Sequence, residues 1–160
     1  MSAATPQVEF DADKLRVGLN LTFAADPNAI SDVAEGVLRL LKAMDCACGQ
    51  EFAVTTALHE SLANAILHGC KGDPEKKIQV CVACDESRGM LIVVRDPGEG
   101  FDPASLPDPM QAENLFSDHG RGVYMINQLM DDVQFHRGGT EIHMRKFPKQ
   151  EPVPGCGFWE

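Results

Sequence analysis

Glu60, Asn64 and His68 recur at every fourth residue of the segment ESLANAILHG, so on a helix they line one side. They fall beside the apolar stripe of Val54, Leu58, Leu62, Ala65 and Ile66, where a group faces a site yet stays partly dry. A carboxylate at that boundary, Glu60, can take a proton from an attacking hydroxyl or water, a task worth on the order of 10² to 10⁴ in rate. An amide oxygen one turn later, Asn64, suits Mg²⁺, which uses few protein ligands and completes its shell with phosphates and water. The plainer alternative is the polar flank of an ordinary amphipathic helix.

Two further segments carry chemistry. Asp96 follows an apolar run directly and opens DPGEGF. Gly98 and Gly100 let the backbone bend tightly and approach a flat ligand such as a purine, while an acceptor-only carboxylate at Asp96 can take an exocyclic amine. A plain strand-ending turn would use the same residue types. Gly120, Arg121 and Gly122, in HGRGVYM, open a helix whose first N–H groups suit phosphate, and Arg121 can add a fork of donors. Either glycine could instead serve packing alone.

These residues need elements to hold them. Leu15, Val17, Leu19, Leu21 and Phe23 alternate without a miss, the period of a strand with one buried face. Asp26-Pro27 supplies an N-cap and a first-turn proline for a helix running to about Ala47. A second helix spans Glu51 to His68 with Gly69 as its stop signal. Lys77 to Cys84 alternates and Met90 to Val94 is continuously apolar, a hairpin whose second arm is covered on both faces. The stretch from Asp102 to Asp118 holds three prolines and no period, and so reads as a lid. A helix from Gly122 to Asp131 and a closing hairpin about Arg137-Gly138-Gly139 complete the chain. The order strand, two helices, hairpin, lid, helix, hairpin implies an α+β fold: a two-layer α/β sandwich with a mostly antiparallel, mixed sheet and helices on one face.

Composition narrows the function. A chain of 160 residues fits one domain, and 44% hydrophobic with 24% charged residues is ordinary for a globular protein. A formal net charge of -10 repels a phosphate backbone, so direct nucleic-acid binding is not expected. No basic leader precedes an apolar run and no stretch approaches about 20 apolar residues, which disfavours membrane and secretion and leaves the cytoplasm. Among six cysteines, Cys81 and Cys84 are an odd number apart in a strand and leave opposite faces, so they cannot close on one zinc. Reduced, buried thiols are the expectation.

Taken together, ESLANAILHG, DPGEGF and HGRGVYMI resemble the N box and the two glycine boxes of the GHKL ATPases, whose fold is the Bergerat, or histidine-kinase-type, sandwich. Within that superfamily the chain most resembles bacterial anti-sigma-factor serine/threonine kinases, over about Leu15 to Lys146. The resemblance implies ATP and Mg²⁺ as cofactors, Glu60 as general base, Asn64 as metal ligand and Asp96 as the adenine-reading carboxylate. It places Gly98 and Gly100 under the base, Gly120, Arg121 and Gly122 by the phosphates, and Thr140, in GGTEIHM, at a position that supports adenine through water. His68 matches the N box in type, with a structural role as its plainer reading.

The implied activity is transfer of the γ-phosphate to a serine or threonine of an anti-sigma antagonist protein, with a sigma factor bound by a kinase homodimer in a competing complex. The first helix's outer face and the opening strand are the expected docking places for the second copy. The alternative is a non-catalytic module of the same fold in which ATP only sets partner affinity. A histidine-kinase fragment would need a phosphoaccepting hairpin ahead of the first strand, and topoisomerase, chaperone or mismatch-repair relatives would need further domains. The expected organisation is a flexible segment over 1–14, an ATP-binding kinase domain over 15–147 and a tail over 148–160.

Overall fold

A computed structural model describes residues 15–43, 46, 49–85, 89–100 and 118–148. The expected lid, apart from Asp118, and both terminal segments, apart from Pro148, lie outside the described residues.

Five strands form one sheet: β1 (Leu15–Ala24), β2 (Lys77–Asp85), β3 (Gly89–Arg95), β4 (Asp132–His136) and β5 (Glu141–Lys146), in the spatial order β1-β2-β3-β5-β4. Each described pairing is antiparallel. The helices are α1 (Ile30–Ala43), α2 (Glu51–Asn64) and α3 (Asp118–Leu129). Strand parity decides the layers. Val80, Val82, Ile92, Val94, Ile142 and Met144 share one cluster with Ala34, Val37 and Leu41 of α1, Val54, Leu58 and Leu62 of α2, and Ile126 of α3. All three helices therefore cover one face, giving the two-layer sandwich. The stripe read on α2 is buried throughout.

The local signals act as their chemistry requires. Asp26 Oδ1 accepts the Asn28 N–H at 2.9 Å, with Pro27 opening a short 3₁₀ turn that leads into α1. β3 is buried on both faces: Leu91 and Val93 join Cys81 in a small cluster on the face away from the helices. No helix among the described residues is long and apolar enough to cross a membrane.

Three expectations need correction. The second helix is α-helical only to Asn64, not to His68. It passes at Ala65–Gly69 into a wider π turn, closed by Cys70 N–H to the Ala65 carbonyl at 2.8 Å, and the positive φ angles fall at Lys71 and Gly72. Secondly, α3 opens at Asp118, several residues before Gly122, because polar residues and glycine at its start hide the helical period. Lastly, Cys46 and Cys84, separated by 38 in sequence, form a disulfide, while Cys70 and Cys81 stay free and buried. The opposite-face reading of Cys81 and Cys84 holds: one joins the open-face cluster, the other reaches the loop after α1 on the helix side.

Candidate nucleotide site

β3 and β5 lie side by side in the middle of the sheet and end together: Arg95 pairs with Glu141, and beyond them the Asp96 N–H donates to the Thr140 carbonyl at 2.9 Å. This single backbone bond puts Asp96 and Thr140 next to each other where the strands turn away. Asp96 Oδ1 accepts the Gly98 N–H at 2.8 Å, an Asx turn that folds Pro97 and Gly98 back over the carboxyl. On the other strand, Thr140 Oγ1 donates to the Arg137 carbonyl at 2.9 Å, closing the turn of residues 137–139.

Helix α2 and its π turn form the opposite wall. A cavity of about 210 Å³ is lined by Asn64 and His68 from this side and by Asp96, Gly100 and Thr140 from the sheet side. Val94, Ile142, Val123 and Phe135 supply its apolar walls. The volume lies under the roughly 300–1,000 Å³ of whole-ligand pockets, a size for a flat base more than for a complete nucleotide. Burial pushes the Asp96 carboxyl above its ordinary value; the Gly98 N–H and the positive charge of Lys76 pull the other way and only partly offset it.

Three glycines make the fit possible. A Cβ on Gly69 would strike the Asp96 carboxyl, and one on Gly98 would strike the Gly69 carbonyl oxygen. Gly69 is thus glycine because a carboxylate packs on it. Gly100, at φ +83°, has its missing Cβ aimed at the Gly138 carbonyl. The first glycine turn therefore rests on both the α2 wall and the β4–β5 turn.

The third motif meets the first along α3. A Cβ on Gly122 would lie 2.9 Å from Glu60 Oε2 and 3.5 Å from the Asn64 amide, so Glu60 and Asn64 face α3 together. Glu60 is half-buried and stands one turn before Asn64; it is not among the cavity's lining residues. The backbone of Gly120 and Arg121 lies in the first turn of α3, while the side chain of Arg121 is outside the described residues. His68 is exposed at the cavity's rim, within the π turn.

Ser61 and Gly69 are among the lining residues that the sequence reading did not assign to the site. Ser61 is 3% exposed with its hydroxyl donating to the Leu58 carbonyl at 3.1 Å; its signal was a polar residue inside the apolar stripe. Gly69 was in view but read as a helix stop.

The groups present fit a magnesium nucleotide. A carboxylate and a hydroxyl flank a partly apolar slot of purine size, and an amide oxygen and a second carboxylate stand together where glycine keeps α3 close. A model of the histidine kinase-like ATPase domain matches residues 23–146. The chain is 27% identical over 139 residues to the anti-sigma F factor of Bacillus cytotoxicus, spanning 83% of this chain and 94% of that protein. It is 30% identical over 109 residues to the serine-protein kinase RsbW of Staphylococcus epidermidis, 63% of this chain and 68% of that one. Against the serine-protein kinase RsbW of Bacillus cereus the figures are 31% over 108 residues, 63% and 66%.

Proposed function

The chain belongs to the histidine kinase-like ATPase family, and from that premise we propose that it is an ATP-dependent protein serine/threonine kinase acting as an anti-sigma factor. The observation that carries this reading is the convergence of Asn64, Asp96, Gly100 and Thr140 on one cavity, with Glu60 packed against Gly122 beside it.

Each residue has a task that its surroundings support. Asp96 accepts the exocyclic amine of adenine, and Thr140 offers a hydroxyl beside it. Gly98 and Gly100 keep the floor thin enough for the base to lie against backbone. Asn64 offers an amide oxygen to Mg²⁺, and the first turn of α3, with Gly120 and Arg121, offers N–H groups to the phosphates. Bound magnesium supplies charge neutralisation across the phosphate chain. Glu60 takes the proton of the incoming hydroxyl, a role suited to a half-buried carboxylate one turn from the metal ligand. His68, at the rim, orders the end of the α2 wall. Little covalent work is left to the protein in phosphoryl transfer, so a rigid arrangement of this kind suffices.

The protein substrate is a serine- or threonine-bearing antagonist, and a sigma factor is the competing partner, the assignment favoured by relatives named anti-sigma F factor and serine-protein kinase. The kinase works as a cytoplasmic homodimer; β1 stands at an edge of the sheet, where a second copy can dock. The kinase domain spans 15–147, between an N-terminal segment and a C-terminal tail.

The deciding experiment incubates the protein with γ-labelled ATP, magnesium and a candidate antagonist. Wild-type protein transfers label to serine or threonine, whereas Glu60→Gln binds nucleotide with near-normal affinity and transfers none. Transfer by Glu60→Gln at the wild-type rate removes the base assignment; absence of transfer by the wild type, with nucleotide still bound, leaves a binding module in its place.

A further inference from the structure

The proposed chemistry uses the face of the sheet turned toward the helices. On the other face, directly behind the cavity, lies a charged cluster with no part in it. Val94 and Ile142 point into the helix-side core, so the next residues along each strand, Arg95 and Glu141, point the opposite way. They form the last cross-strand pair of β3 and β5. Both are nearly buried, at 7% and 4% exposure.

Glu141 is the hub of this cluster. Its Oε2 accepts Arg95 Nε at 2.9 Å and Arg95 Nη2 at 2.8 Å, and stands 3.4 Å from Arg137 Nε. Its Oε1 lies 2.7 Å from His143 Nε2. Burial alone would raise the Glu141 carboxyl, but the hydrogen bonds from His143 and Arg95, with their charges, hold it below its ordinary value.

The chain neighbours of these residues are the ones that matter. Arg95 precedes Asp96, and Glu141 follows Thr140. Arg137 belongs to the turn whose carbonyl accepts the Thr140 hydroxyl, and the same turn props Gly100. One carboxylate thus ties together both strand ends and the turn from which the purine slot is built. Past this pair the strands are joined by the Asp96-to-Thr140 backbone bond before they diverge.

We propose that Glu141 is a positioning residue for purine recognition: from behind the sheet it clamps Arg95 and Arg137, and so fixes the orientation of Asp96 against Thr140 on which the preference for adenine depends. This inference rests on the reading of Asp96 and Thr140 as the base-binding pair. It differs from a general stabilising role in one respect. Loosening the fold weakens all nucleotides alike, whereas misaligning Asp96 weakens the base whose 6-amine it accepts, adenine, and not guanine, which carries a carbonyl at that position.

The test compares dissociation constants for Mg-ATP and Mg-GTP, by calorimetry on the full chain, in wild type, Glu141→Gln and the double variant Arg95→Met/Glu141→Leu. The double variant guards against a misfolded single one, because apolar side chains of similar size often replace a buried ion pair without loss of stability. Wild type is expected to prefer Mg-ATP. Both variants should lose about tenfold in Mg-ATP affinity, the worth of one misaligned hydrogen bond to a charged group, with Mg-GTP affinity unchanged, so that the preference shrinks by the same factor. Folded variants with wild-type affinities and preference overturn the inference and leave the site intact. So does an equal loss for both nucleotides, which is mere loosening. A wild-type protein that binds neither nucleotide overturns the site and this inference with it.

Discussion

Gly122 and Glu60 are fitted to each other: a methyl group on the glycine would stand 2.9 Å from the carboxylate's Oε2 and 3.5 Å from the Asn64 amide. The glycine is in the third sequence motif, the carboxylate in the first, and the contact is where α2 and α3 meet. A carbon that close to a carboxylate oxygen is tighter than packing tolerates, so one of the two must move.

Gly122→Ala is therefore expected to displace Glu60 while leaving Asp96 and Thr140, at the ends of β3 and β5, in place. Displacing a catalytic group by about 1 Å can cost on the order of 10²-fold in rate. The expected outcome is a loss of about 10- to 100-fold in phosphoryl transfer with Mg-ATP affinity little changed. Single-turnover transfer measured beside calorimetric affinity checks it; a parallel loss of affinity would mean that Gly122 serves the nucleotide instead.

Gly69→Ala has the opposite signature. Its Cβ would strike the Asp96 carboxyl from the π turn, so Asp96, the proposed base-reading group, is pushed aside and Glu60 is not. Mg-ATP affinity is expected to fall at least about tenfold, with a loss of roughly 1–3 kcal/mol in stability for forcing a methyl into a filled contact. Titration of nucleotide against the folded variant, with its melting temperature, measures both. Retained affinity would show that Asp96 has room to retreat and that the close packing is incidental.

Acid should loosen adenine binding earlier than an ordinary aspartate would allow. Burial raises the Asp96 carboxyl above the usual 3.8, and the ionised form is the stronger acceptor for the exocyclic amine. Adenosine, which carries no titrating phosphate, is the proper probe: its affinity should decline as pH falls through the raised value, and Asp96→Asn should flatten that profile. The stability effect has the reverse sign. A carboxyl whose folded value is raised binds its proton more tightly in the fold, so it destabilises at neutral pH, and this penalty fades as pH falls through the folded value toward 3.8. Asn can keep the Gly98 bond, so Asp96→Asn is expected to melt higher than wild type at pH 7 and to lose that advantage on acidification. An advantage that grows with acid would contradict the burial argument.

Much of this was legible in local chemistry, and the rest was not for definite reasons. Alternation from Leu15 to Phe23 and the stripe through Val54, Leu58 and Leu62 reported burial on one face, which is a periodic property; the structure buries Val54, Leu58 and Leu62 and packs half-buried Leu19 and Phe23 against the same core. Asp26 and Pro27 announced a helix start because capping is a contact between near neighbours. The π turn had no such announcement: Ala-Ile-Leu-His-Gly is good helical sequence, and Gly69 owes its identity to Asp96 on another element. The Arg95–Glu141 pair is 46 residues apart and the Cys46–Cys84 bridge 38. Neither has a signal within a turn or two of chain. The three motifs pointed to the candidate site because each keeps its own short-range geometry, but how closely Gly122 presses on Glu60 depends on how two helices pack.

The disulfide offers the last prediction, and it separates stability from activity. Cys46 follows α1 and Cys84 lies in β2, near the hairpin end of that strand and away from Asp96, which follows the far end of β3. Closing a loop of 38 residues removes chain entropy from the unfolded state worth up to about 4 kcal/mol in the loop-closure model. For a domain of this size that corresponds to on the order of 10 °C in melting temperature. The Cys46→Ser/Cys84→Ser variant, and wild type under strong reductant, should both melt lower by such an amount in differential scanning calorimetry. At 25 °C both should bind Mg-ATP as the oxidised wild type does, because no wall of the purine slot is made by either cysteine. If reductant lowers the melting temperature of wild type and of the serine variant equally, the bridge is not what holds α1 to the sheet, and the contacts of Leu41 and Val37 with the core carry that junction alone.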